Sequence, residues 1–169
     1  MIVIVTGASG AGKTTLVRAL EARTLPGVAC HYFDSIGVPS TGQMIAEYGS
    51  GAAWQEAMTR RWIGRLQQNG ASARIAVLDG QVDIAMAHRC LVDAGIESSR
   101  IILVDCAPDV REARLRELRG QPELADREMA TWAAHLKGQA EAFGCPIIDT
   151  SSADIAAGTD TLIRYIPPE

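Results

Sequence analysis

The sequence predicts a three-layer α/β domain with about five parallel strands and helices on both faces. Two observations carry that prediction. Short, near-continuous apolar runs recur at Ile2–Val5, Val28–Phe33, Ile75–Leu78, Ile101–Val104 and Pro146–Ile148, as expected of strands covered on both faces. Helical patterns lie between them, at about 12–23, 52–68, 84–94, 109–119, 126–143 and 159–165. Strict alternation of strand and helix signals parallel crossovers. At 169 residues, 47% hydrophobic and 21% charged, the chain is long enough for one full core and is read as one domain, 1–169.

Taken in order, the first strand runs directly into a glycine-rich turn and the first helix. The segment 39–70 precedes the third strand and carries Trp54, Met58, Trp62 and Leu66 at four-residue spacing, a stripe expected in the core. Arg60, Arg61 and Arg65 fall beside it, as solvated charges or with one of them on a ligand oxygen. Gly95 and Gly144 stand where a helix ends on a left-handed residue. Asp126 stands where a side chain caps a helix start.

Composition narrows the function. A net charge of −4 argues against nucleic acid and acidic membrane as partners. Fourteen arginines stand against two lysines, Lys13 and Lys137, and where arginines cluster they suit bidentate phosphate recognition. Cys30, Cys90, Cys106 and Cys145 form no C-x-x-C pair, so free buried thiols are expected rather than disulfides or zinc. His31, His88 and His135 are scattered and give no hydrolase triad. Met1–Val5 is too short for a leader, and no run approaches the length of a membrane span. A cytoplasmic monomer or homodimer is expected.

Gly7-Ala8-Ser9-Gly10-Ala11-Gly12-Lys13-Thr14 satisfies G-x-x-x-x-G-K-[ST], with a strand before it and a helix after it. Small residues let the loop turn its N–H groups inward on a polyphosphate, and the helix N-terminus adds positive potential there. Lys13 is expected to meet the β- and γ-phosphates, and the Thr14 hydroxyl to ligate Mg²⁺. Gly7 through Thr15 are therefore the candidate ATP-binding residues.

With these residues the chain resembles the P-loop superfamily, and G-A-S-G-A-G-K-T-T near its start resembles the small-molecule kinases of that group. Adenylate, shikimate and gluconate kinases and chloramphenicol phosphotransferase are of this kind. The resemblance implies strand order 2-3-1-4-5, ATP and Mg²⁺ as cofactors, and a small-molecule acceptor. It also implies that an aspartate ending the second strand orients or deprotonates the acceptor hydroxyl, or holds Mg²⁺ through water; Asp34 fits that position. The other reading of Asp34 is a cap or turn residue, given Ser35-Ile36-Gly37 after it.

Leu78-Asp79-Gly80-Gln81 ends the third strand in the same way, and the segment between the two, 39–70, is expected to cover the acceptor. Asp79 is expected at the metal or the acceptor, Gly80 permits close backbone approach, and Gln81 is a donor to a substrate oxygen. Nucleoside-monophosphate kinases continue here as D-G-[FY]-P-R, where the arginine grips the acceptor phosphate. This chain reads D-G-Q-V-D, and Asp83 in that place would repel a phosphate, which favours an uncharged or hydroxylated acceptor.

Five arginines, at 111, 114, 116, 119 and 127, fall within seventeen residues. At 100° per residue, Leu115 and Leu118 define a buried stripe with Arg114 and Arg119 on its flanks. The resemblance makes 111–127 a lid whose R-L-x-x-R-type arginines close over the transferring phosphoryl group. Here the pattern is one residue longer. Arg114 and Arg119 are the candidates and Arg127 a reserve; the alternative is a solvated helix with pairs such as Glu112 and Arg116. The loop Ile148-Asp149-Thr150-Ser151 is expected to touch adenine through its backbone, which places Thr150 in the nucleotide site.

These readings converge on a phosphotransferase that moves the γ-phosphoryl group to a hydroxyl of a small acceptor. The rivals are a nucleoside-monophosphate kinase and a nucleotide-binding regulatory module.

Overall fold

The computed structural model describes residues 1–68, 74–152 and 154–166; positions 69 and 70 of the expected acceptor segment, and 167–169 of the expected domain, lie outside the described residues. Five strands form one parallel sheet: β1 (Ile2–Thr6), β2 (Val28–Tyr32), β3 (Ile75–Asp79), β4 (Ser99–Asp105) and β5 (Ile147–Asp149), in the order β2-β3-β1-β4-β5. The helices are α1 (Lys13–Ala22), α2 (Thr41–Tyr48), α3 (Gly51–Gln68), α4 (Ile84–Asp93), α5 (Pro108–Ala113), α6 (Arg127–Phe143) and α7 (Ile155–Arg164).

Strand periodicity divides the core into two layers. Ile2 and Ile4 pack with Trp54, Met58, Trp62, Leu66, Ala87, Leu91, Leu136 and Ala140, so α3, α4 and α6 cover one face. Val3 and Val5 pack with Leu16, Val17, Leu20 and Leu162, so α1 and α7 cover the other. Successive side chains of a strand point to opposite faces. The expected α3 stripe is therefore core, with its tryptophans anchoring the sheet.

Several boundaries differ from the sequence reading, each for a local reason. α2 is a separate helix, started by a capping box in which Ser40 and Gln43 bond each other's backbone. α7 begins at Ile155 because the Asp154 carboxylate caps it through Ala157 N–H. Asp126 caps α6 and Gly144 closes it with φ 63°, as expected.

The predicted helix 109–119 is α5 followed by a π-helical turn, Arg114–Leu118. Arg119 N–H reaches back five residues to Arg114 O at 3.0 Å, so each turn holds an extra residue. The stripe is broken as a result. Leu115 is buried, but Leu118 is 80% exposed, contrary to the 100° rule.

Cys90 and Cys106 are buried free thiols, and Cys30 and Cys145 are half-buried free thiols. Among the described residues, no helix is long and apolar enough to cross a membrane.

Candidate active site

The sheet brings the chemistry-bearing residues together at the C-terminal ends of β1, β2 and β3, where open α/β sheets place ligands. Asp79 pairs in register with Val5 on one side and Tyr32 on the other. The glycine loop leaves β1 there, and Asp34 follows β2 two residues past Tyr32.

The loop requires its first glycine. A Cβ on Gly7 would lie 2.2 Å from the Val104 carbonyl oxygen, so any side chain would push the loop off β4. Ser9 Oγ donates to Gln81 Oε1 at 3.0 Å, tying the loop to the end of β3. Lys13 is 9% exposed. Burial lowers the pKa of its ammonium and the nearby Arg119 lowers it further, against the attraction of Asp79 and Asp34. A buried ammonium with an exposed guanidinium near it makes the site a receptor for anions.

Thr14 Oγ1 donates to Asp79 Oδ2 at 2.6 Å. Asp79 is 5% exposed, and its Oδ1 is buried with no hydrogen-bond partner. Burial pushes the Asp79 carboxyl above its ordinary value, although the Thr14 hydroxyl and Lys13 oppose that shift. An orphaned carboxylate oxygen beside a hydroxyl is a donor set that suits Mg²⁺, which takes few protein oxygens and completes its shell with phosphate and water. Among the described residues, no cluster of three or more His, Cys, Asp or Glu side chains offers an ion a complete protein cage. A metal here would be held by Thr14, Asp79 and the nucleotide.

Two cavities meet at this point. The larger, about 560 Å³, is lined by Gly10, Gly12, Thr15, Arg114, Leu118 and Thr150 among others. The smaller, about 210 Å³, is lined by Ser9, Tyr32, Phe33, Asp34, Asp79, Gly80 and Gln81. Lys13, Thr14, Arg18 and Arg119 line both. The glycine loop thus faces the larger space, and Asp34, Asp79 and Gln81 face the smaller one.

Asp34 sits in a 3-10 turn, Phe33–Ile36. Its side chain caps nothing; only its backbone carbonyl is used, by Gly37 N–H at 3.0 Å. Among the described residues the exposed carboxylate has no hydrogen-bond partner, so the capping alternative is set aside. Gly80 does allow close approach, but toward protein: a Cβ there would lie 2.7 Å from Phe33 Cβ. This packing brings the ends of β2 and β3 together beside the smaller cavity.

Asp83 does not face that cavity. It caps α4 through Met86 N–H at 2.8 Å and accepts from Gln139 Nε2 at 2.9 Å, with His135 Nε2 also 2.9 Å away. The expected repulsion of an acceptor phosphate therefore has no structural basis, and only the missing arginine remains of that argument. Burial pushes the Asp83 carboxyl up, but the Met86, His135 and Gln139 contacts outweigh it and hold it below 3.8. A carboxyl depressed in the folded state contributes stability above its unfolded value, lost as pH falls through the folded one. Asp83→Ala is accordingly expected to cost about 1–2 kcal/mol near neutral pH, the worth of a lost cap. The gap from the parent should narrow below pH 3.8, as read by urea unfolding at both pH values.

The lid arginines separate. Arg114 Nη1 donates to Thr150 Oγ1 at 2.9 Å and Nη2 to Thr150 O at 2.8 Å, with a longer contact from Nη1 to Gly10 O at 3.4 Å. Thr150 Oγ1 in turn donates to Ala11 O at 2.8 Å. Arg114 therefore ties the segment after α5 to the glycine loop and the loop after β5, rather than standing free. Thr150 is correspondingly engaged: its N–H bonds Asp105 O and its carbonyl accepts one bond from Arg114, and it lines the larger cavity. Arg119 lines both cavities because the π-helical turn absorbs the extra residue in Arg114-Leu115-Arg116-Glu117-Leu118-Arg119. Arg127 lines neither.

Of the α3 arginines, Arg60 pairs with Glu56 and Asp93, and the Arg65 guanidinium lies 5.6 Å from the Trp62 ring centroid. None of Arg60, Arg61 and Arg65 lines either cavity. Glu112 and Arg116 form the expected exposed pair.

Arg18 was not singled out by sequence reasoning, although it lines both cavities. Its spacing was the available signal: it stands four residues after Thr14, on the same face of α1.

This architecture is that of the P-loop small-molecule kinases. No protein-family model and no curated protein matches the chain, but solved structures do. The tunicamycin resistance protein of Deinococcus radiodurans is 20% identical, with TM-score 0.67 over 99% of this chain and 98% of that one. Shikimate kinase from Bacteroides thetaiotaomicron is 20% identical, with TM-score 0.62 over 98% of each chain. Deoxyadenosine kinase from M. mycoides, solved with bound dATP, is 13% identical, with TM-score 0.61 over 98% and 99%. At these identities the likeness establishes the fold.

Proposed function

We propose that this protein transfers the γ-phosphoryl group of ATP to a hydroxyl of a small, uncharged acceptor. The observation that carries the reading is the junction of two cavities at Lys13, Thr14, Arg18 and Arg119, with an unpartnered Asp34 on the smaller side. The triphosphate lies along the glycine loop in the larger cavity, with its γ-phosphate at the junction. The acceptor occupies the smaller cavity, with its hydroxyl between Asp34 and the γ-phosphorus. That its names include shikimate and deoxyadenosine kinases and an antibiotic-resistance protein makes the set of structural neighbours consistent with hydroxylated acceptors.

The acceptor oxygen forms a bond to the γ-phosphorus as the bond to the β,γ-bridging oxygen breaks, and that electron pair leaves on ADP. The hydroxyl proton passes to Asp34. Lys13 and Arg119 neutralise charge on the transferring group, and Gln81 orients the acceptor through its amide. Arg114 positions lid and loop without touching the reacting atoms. Mg²⁺ held by Thr14 and Asp79 would supply charge neutralisation on the β- and γ-oxygens.

Among the described residues the smaller cavity offers no cation beyond those shared with the larger one, and this supports an acceptor without its own phosphate or carboxylate. ADP release with Mg²⁺ and ATP should rise severalfold or more with one class in a panel of sugars, nucleosides, hydroxylated antibiotics and nucleotides. Stimulation by nucleoside monophosphates alone would replace this reading with a monophosphate kinase. Slow hydrolysis indifferent to every acceptor would replace it with a regulatory module.

A further inference from the structure

We propose that Arg18 is a catalytic residue whose guanidinium touches the transferring phosphoryl group from the α1 side of the site. The inference rests on the phosphotransferase reading and adds a residue to it.

Three observations converge. Arg18 shares a face of α1 with Thr14, the expected metal ligand, and α1 is anchored by the buried Leu16, Val17 and Leu20. It belongs to the set of four residues common to the two cavities. It also lacks an anion. Arg23, Arg60, Arg111 and Arg116 each have a carboxylate partner, and Arg114 is held by Thr150. Among the described residues Arg18 forms no hydrogen bond or ion pair: its guanidinium carbon lies 6.0 Å from the Tyr32 ring centroid, and it acts on the Asp79 carboxylate only through space.

That ring is itself held. Tyr32 Oη donates to Glu21 Oε2 at 2.7 Å, and Glu21 lies one turn beyond Arg18 on α1. The aromatic contact occupies one face of the guanidinium and leaves its edge donors for oxygen atoms. An arginine so held, at the rim of an anion cradle and without an anion, matches the forked geometry of phosphate oxygens. Asp79 attracts Arg18 through space but forms no ion pair with it; its Oδ2 accepts from Thr14 instead.

The two junction arginines then differ in kind. Arg119 reaches the junction through the π-helical turn. Arg18 stands on the exposed side of a helix anchored to the sheet by Leu16, Val17 and Leu20. Charge on the equatorial oxygens is met from both sides.

The test compares nucleotides with and without the γ-phosphate and needs no acceptor. Calorimetry with Mg²⁺ would titrate ADP and a nitrogen-bridged ATP analogue into the parent, Arg18→Met, Arg18→Lys and Arg23→Met. Arg23 is an exposed control at the end of the same helix. Arg18→Met is expected to lose about tenfold or more in analogue affinity, the worth of a charge-assisted hydrogen bond. Its ADP affinity should stay within about twofold of the parent, as should both affinities of Arg23→Met. Arg18→Lys should recover part of the loss, because it keeps the charge without the fork, and this variant decides the matter if methionine disturbs folding. Equal weakening of both nucleotides, or no change in either, would overturn the role. A parent that binds ADP and the analogue while Arg18→Met matches it leaves the phosphotransferase reading intact and removes Arg18 alone. A parent that binds neither removes both.

Discussion

Lys13→Ala is expected to weaken ATP binding by about tenfold or more and to lower turnover by about a thousandfold, the scale of losing a preorganised charge at the transferring group. The ammonium stands where the two cavities meet. It is nearly buried, and burial together with Arg119 works against its charge while the site holds no anion. That arrangement separates function from folding. A cation disfavoured in the folded state contributes no stability that its removal would forfeit, so the melting temperature without ligand should not fall. Saturating ATP should raise the parent's melting temperature by mass action and raise the variant's much less. Thermal melts with and without MgATP, paired with acceptor-dependent ADP release, measure both effects. Wild-type turnover in the variant would remove the phosphate-loop assignment.

Asp34→Asn is expected to lower acceptor-dependent kcat by at least about a hundredfold, within the range of general-base assistance. Asparagine keeps the size of the side chain but loses the charge and the proton acceptor. The carboxylate caps no helix and bonds no described neighbour, so its replacement should leave unfolding by urea unchanged. ATP affinity, set by the glycine loop, should stay near the parent value. The contrast with Lys13→Ala is the informative part: one variant loses nucleotide and chemistry, the other chemistry alone. Near-parental transfer by Asp34→Asn would take this residue out of the mechanism. Parallel loss of fold and ATP binding would return it to a structural role.

The glycine loop and the layered core were legible because they depend on local chemistry and period. Gly7 is dictated by the approach of the Val104 carbonyl, and Gly10 and Gly12 by left-handed backbone. Ile2 to Val5 show their two-faced burial in their apolar run alone. Strand ends carrying Asp34 and Asp79 were legible for the same reason, since a parallel sheet gathers such ends at one edge.

Long-range partners decided the rest. The 100° rule put Leu118 in the core, but an extra residue in the lid was absorbed as a π-helical turn, exposing Leu118 and bringing Arg119 to the junction. Periodicity presumes a regular helix and cannot register that change. Arg114 looked like a free lid residue until Thr150, thirty-six positions later, was seen to hold it. Asp83 looked like a charge facing the acceptor until His135 and Gln139, across on α6, claimed its carboxylate. The sequence by itself determined the fold class, the glycine loop and the two candidate carboxylates, because their causes lie in neighbouring residues. Only the tertiary structure decided which arginines stand at the junction and which are tied elsewhere, because a long side chain takes the partner that folding brings within reach.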